Sequence, residues 1–118
     1  MNVLGSVGIV RSTDRDAAVR RYAALFGVPP LRQFSIPGRQ LTVDVFSGLS
    51  VLSGEPSALA PLADLRATVF VGSLPETETK LRQTGWATEG RLGAGGGLLA
   101  RDPDGNLIEF VEDPRGVQ

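Results

Sequence analysis

Residues Arg101 to Phe110 read Arg-Asp-Pro-Asp-Gly-Asn-Leu-Ile-Glu-Phe. Pro103 presets the backbone for the second position of a turn, and Asp104-Gly105 supplies residues that close one, so Asp102 to Gly105 is a turn. Leu98 to Arg101 ahead of it and Leu107 to Val111 behind it are short and apolar, which makes the whole a hairpin. Moving outward, Gly93 to Gly97 (GAGGG) is a loop, and Trp86 to Leu92 reads as a strand. Gly85 closes a helix that starts at Gly72 or Ser73 and carries Pro75 in its first turn, where proline is tolerated. Glu76 and Glu78 lie near its start and Lys80 and Arg82 near its end, as the helix dipole favours. Ala67 to Val71 is apolar and β-favouring.

The first half of the chain has the same order. Val3 to Val10 reads as a strand, and Ser12-Thr13-Asp14 offers helix N-caps. From Asp16 to Phe26 the apolar positions Ala18, Val19, Tyr22, Ala23, Leu25 and Phe26 recur at helical spacing. Gly27 closes that helix, and Pro29-Pro30 prevents its continuation. Leu31 to Ile36, Leu41 to Phe46 and Leu49 to Leu52 are strands separated by Pro37-Gly38 and Ser47-Gly48. Both halves therefore read strand–helix–strand–strand–strand, with the closing glycines about 58 residues apart. The first repeat covers about residues 3–53 and the second about 66–112, within a single domain over residues 1–118. Residues 54–65 are expected to be a connector and 113–118 a tail.

Composition removes most routine chemistry. The chain has 118 residues, no Cys and no His. Disulfides, zinc-thiolate sites, imidazole ligands and Ser-His-Asp triads are thus excluded. Twelve basic residues against thirteen acidic ones give a net charge of −1, without the basic face of a nucleic-acid binder. No apolar run approaches a membrane helix, and no signal peptide is seen at the start, so a cytoplasmic location is expected.

The hairpin, the opening Gly5-Ser-Val-Gly-Ile-Val10, Leu25-Phe26-Gly27 and the paired repeats resemble the vicinal oxygen chelate superfamily. That superfamily includes glyoxalases, extradiol dioxygenases and bleomycin-resistance proteins. The resemblance implies an α+β fold, in which two βαβββ repeats form curled mixed sheets around a concave ligand cavity. Metal enzymes of the superfamily usually hold their ion with two His and one Glu. Carried over one at a time, those positions fall on Ser6, on Arg66 and on Glu109, with a further glutamate of some members falling near Leu52 or Ser53. A hydroxyl, a guanidinium and a carboxylate do not make a transition-metal site, and Arg66 opposes a dication. No metal or other cofactor is therefore expected. The alternative is a divalent ion held through Glu109, with Asp44 as its partner in an oxygen-only site.

Strand alternation assigns a cavity face. With Glu109 facing the cavity, Leu107 and Val111 follow. On the other strands Ser6, Gly8 and Val10, then Thr42, Asp44 and Phe46, then Arg66, Thr68 and Phe70 are assigned to it, and Trp86 is a candidate for stacking on a planar ligand. Arg66 is a candidate ion-pair partner for Glu109. The expected site, Ser6, Asp44, Phe46, Arg66, Thr68, Phe70, Trp86, Leu107 and Glu109, suits a small-molecule pocket, and the resemblance to bleomycin-resistance proteins implies a small, partly aromatic ligand. Two functions are open: a metal-free binding protein, and a glyoxalase- or dioxygenase-type lyase, isomerase or oxygenase with Glu109 as ligand or base. A homodimer is expected in either case, because the concave face is incomplete in one small chain.

Overall fold

Side-chain caps start both long helices. Asp14 Oδ1 accepts the Ala17 N–H at 3.2 Å, and Ser12 Oγ in turn accepts the Asp14 N–H at 2.9 Å. Ser73 Oγ accepts the Glu76 N–H at 3.4 Å. These bonds satisfy donors that have no partner inside a helix. At the far end of the first helix Gly27 adopts φ 75° and donates to Ala23 O at 2.8 Å, a left-handed cap that a side chain would strain.

The computed structural model describes residues 3–91 and 97–113. The elements are β1 (Val3–Ser12), α1 (Arg15–Phe26), β2 (Arg32–Ile36), β3 (Leu41–Phe46), β4 (Leu49–Ser53), α2 (Pro56–Leu59), a 3-10 turn (Ala60–Leu62), β5 (Ala67–Val71), α3 (Leu74–Gln83), β6 (Ala87–Arg91), β7 (Leu98–Arg101) and β8 (Leu107–Glu112). This is an α+β chain of two βαβββ repeats. It divides into two compact units, residues 7–66 and residues 67 onward together with the start of β1. The expected glycine-rich loop, apart from Gly97, and the expected tail beyond Asp113 lie outside the described residues.

In the first unit the strand order is β2-β3-β4-β1, with β1 parallel to β4 and the other pairs antiparallel. In the second the order is β5-β8-β7-β6, again with the first strand parallel to the last. The shared pattern is what the repeat in the sequence predicts.

One face of the first sheet packs under α1. Phe46 stacks on Phe26 with ring centroids 5.4 Å apart and an interplanar angle of 15°, and lies 6.5 Å from Tyr22. Val10, Leu49 and Val51 complete this layer, all buried. Each such side chain contributes about 1.5–3 kcal/mol by leaving water.

The opposite face is also filled. Leu41, Val43 and Leu52 form a cluster with Leu59 of α2, and Ile9, Ile36, Val45, Ala58 and Leu62 pack around it. Residues 54–65 are thus more than a connector. Pro56 at the start of α2 and Pro61 in the 3-10 turn allow one short turn each, and together they lay Leu59 and Leu62 on the sheet.

In the second unit α3 covers one face, with Leu74, Thr77 and Leu81 buried. Val69, Val71, Ile108, Phe110, Leu98 and Ala100 lie beneath it, and the Trp86 ring meets Phe110 edge-on at 5.7 Å. The hairpin between β7 and β8 is held by one carboxylate. Asp102 Oδ1 accepts from the N–H of Asp104 and of Asn106, and Oδ2 accepts from Asn106 Nδ2, each at 2.9 Å.

Candidate functional site

The face of the second sheet turned away from α3 carries Thr68 and Phe70 from β5, Leu107, Glu109 and Val111 from β8, and Leu99 from β7. Register fixes their neighbours. Glu109 lies beside Thr68 on one side and Leu99 on the other, and Phe70 lies beside Val111. All six are half-buried, whereas the residues alternating with them are buried under the helix. This is the β5 and β8 alternation expected from the sequence.

Glu109 stands out chemically on this face. Among the described residues it has no hydrogen-bond or ion-pair partner. A half-buried carboxylate among apolar neighbours loses water without recovering the lost hydrogen bonds. One flank is closed by Gly97. A Cβ at that position would stand 2.6 Å from Glu109 Oε2, 2.7 Å from Glu109 Cγ and 2.8 Å from the Phe110 carbonyl oxygen. The bare backbone of Gly97 is therefore required for the carboxylate to sit where it does. Gly97→Ala is expected to lower stability by about 1–3 kcal/mol and to move the Glu109 side chain. Chemical denaturation and the side-chain shifts of Glu109 check this.

At the rim of the same sheet Arg101 Nε lies 2.6 Å from Glu89 Oε2, and Arg101 Nη1 donates to the Gly105 carbonyl at 3.0 Å. Both partners of this ion pair are exposed, so it adds little stability.

Several expected site residues lie elsewhere. Asp44 and Phe46 are on the α1 side of β3. Asp44 is 0% exposed and accepts from Arg15 Nε and Nη2 of α1, both at 2.9 Å, and Phe46 belongs to the aromatic stack. The Asp44 hydrogen bond raises the Arg15 pKa, while burial works against it. Alternation alone does not orient β3, because both faces of that sheet are covered, one by α1 and the other by α2. Val10 follows the same correction, since it pairs in register with Val51 on the α1 side. Trp86 is buried against Phe110 on the α3 side and presents no ring to the Glu109 face. Arg66 is exposed, and its Nη1 donates to the carbonyls of Ala63 and Leu65 at 3.3 Å, so its guanidinium bonds within its own unit. Ser6 is half-buried and has a polar partner of its own. Sequence reading missed Leu99 and Gly97. Leu99 is visible in hindsight as the residue alternating with Leu98 and Ala100.

No family model matches the chain, and no curated protein matches it. Solved structures do. A trypanothione-dependent glyoxalase I of Leishmania major is 16% identical, with 88% of this chain and 82% of that chain covered, at a TM-score of 0.63. A hypothetical protein of S. aureus is 17% identical over 89% of this chain and 90% of that one, at 0.59. The chain has the vicinal oxygen chelate fold. A glyoxalase-related enzyme of Fulvimarina pelagi, 20% identical over 92% and 88% at a TM-score of 0.55, extends the likeness. At these identities the likeness concerns the fold, which hosts many chemistries.

Ser6, Arg66 and Glu109, the positions that the resemblance assigns to a metal centre, carry a hydroxyl, a guanidinium and a carboxylate. Among the described residues no three His, Cys, Asp or Glu come together. Asp44, the other oxygen donor considered, is engaged by Arg15.

Proposed function

We propose that this chain is a glyoxalase-like binding protein of the vicinal oxygen chelate fold. It takes up a small, partly aromatic molecule on the Glu109 face of β5, β7 and β8, and it acts without the metal centre of its fold relatives. One contrast carries the reading. In the first unit α2 and the 3-10 turn fill the sheet face away from the helix, whereas the corresponding face of the second unit leaves Phe70, Leu99, Leu107 and Val111 half-exposed around an unpartnered carboxylate. An apolar surface with one placed polar group is the usual make-up of a small-molecule site.

Elemental analysis of the purified protein tests the metal-free part, followed by calorimetric titration with Mn²⁺, Ni²⁺ and Zn²⁺. The expected result is no stoichiometric metal and no saturable heat. A tight ion lost in Glu109→Gln would overturn it.

The protein works as a homodimer. Support comes from β2, the outer strand of its sheet, where Phe34 is 46% exposed, and from Leu31 just ahead of the strand, 66% exposed. The unpaired backbone edge of an outer strand is a natural place for chains to pair. Light scattering is expected to give twice the 12.4 kDa chain mass, and a monomer across the micromolar range would contradict it.

A further inference from the structure

Resting on that reading, we infer that the ligand is an organic cation, with an N–H-bearing ammonium or amidinium group bound by Glu109 and an aromatic ring laid on Phe70, Leu107 and Val111. Glu109 is half-buried and without a partner among the described residues, so its carboxylate offers accepting lone pairs that nothing described there uses. A carboxylate acceptor repels an anionic ligand group and favours a donor that is itself charged, because charge-assisted hydrogen bonds are roughly twice as strong as neutral ones. The neighbours across the sheet add no competing cation. Thr68 and Leu99 flank Glu109, while Arg101, nearer the rim, is held by Glu89 and the Gly105 carbonyl. The apolar residues along the same strands provide the surface for a ring, where aromatic groups gain most from burial.

Three probes of matched shape test this: 2-naphthylmethylamine, 2-naphthylmethanol and 2-naphthoate. Each is titrated into the labelled full chain and into Glu109→Gln, with amide shifts read along β5, β7 and β8. Unchanged melting and unchanged shifts elsewhere establish that Glu109→Gln is folded. In the wild type the amine is expected to bind at least about tenfold more tightly than the alcohol, and the carboxylate more weakly than either. In Glu109→Gln the amine should lose that advantage while the alcohol keeps its affinity. If the alcohol or the carboxylate binds as well as the amine, or if the amine's preference survives Glu109→Gln, the cation is wrong while the aromatic site stands. If no probe shifts this face, both the cation and the proposed function fall.

Discussion

Arg15→Met is expected to lower stability by about 3 kcal/mol, because it leaves the fully buried Asp44 carboxylate without its guanidinium. Arg15 is itself 39% exposed, so little of the effect comes from its own lost packing. For a domain of this size the loss corresponds to a melting temperature lower by more than about 10 °C. The raised pKa of Arg15 fixes the sign of its pH dependence. A base whose pKa is higher in the folded state contributes its full stability below its ordinary pKa and loses it only as pH rises beyond. For arginine that window opens in strong alkali, so the deficit of the variant should be the same at about pH 7 and about pH 9. The double variant Arg15→Met/Asp44→Leu should recover part of the loss, since replacing a buried pair is milder than breaking it. Urea denaturation of the four proteins in the cycle measures this. An Arg15→Met variant as stable as the wild type would show that the pair does not hold α1 to β3.

Leu59→Ala is the second large effect. Leu59 is 7% exposed and sits among Leu41, Val43 and Leu52. Truncation removes about 2–4 kcal/mol through lost transfer energy and the cavity left behind. It also loosens α2, which has only four residues and little helical stability of its own. Amide exchange should therefore rise across residues 55–62 and on the Val43 face of β3, while β5 and β8 stay protected. Uniform loss of protection over both units would contradict the idea that this segment is a local plug of the first sheet.

Much of the fold is legible in the sequence, because local signals agree with one another. Asp14, Ser73 and Gly27 cap helices where the helical spacing begins and ends, and Asp102 anchors the turn that Pro103 and Gly105 announce. The repeat then supplies the topology. Alternation is legible on β8, where Ile108 and Phe110 are plainly apolar and Glu109 is plainly not. It fails on β3. Leu41, Val43 and Val45 look like a helix-facing row, yet they face α2, and Asp44 looks like a cavity carboxylate, yet it serves Arg15. Single-sequence alternation identifies two faces but not which cover lies over each. The short α2 is hidden for a related reason. Its four residues carry too little helical periodicity to be seen, and its role comes from what Leu59 touches.

The site is only partly legible. Glu109, Thr68, Phe70 and Leu107 share a face in the structure as the spacing implies. Trp86 looks equally suitable as a ligand-stacking ring, and only the packing of Phe110 beneath α3 shows where it goes. The contact of Gly97 with Glu109 depends on backbone geometry across β7 and β8, which no local pattern encodes.

The most direct measurement is a crystallographic screen of small aromatic fragments against the full chain. Density is expected against Phe70 and Leu107, with a polar atom within hydrogen-bond reach of Glu109. Fragments seated instead beside Val43 and Leu52, with α2 displaced, would contradict it.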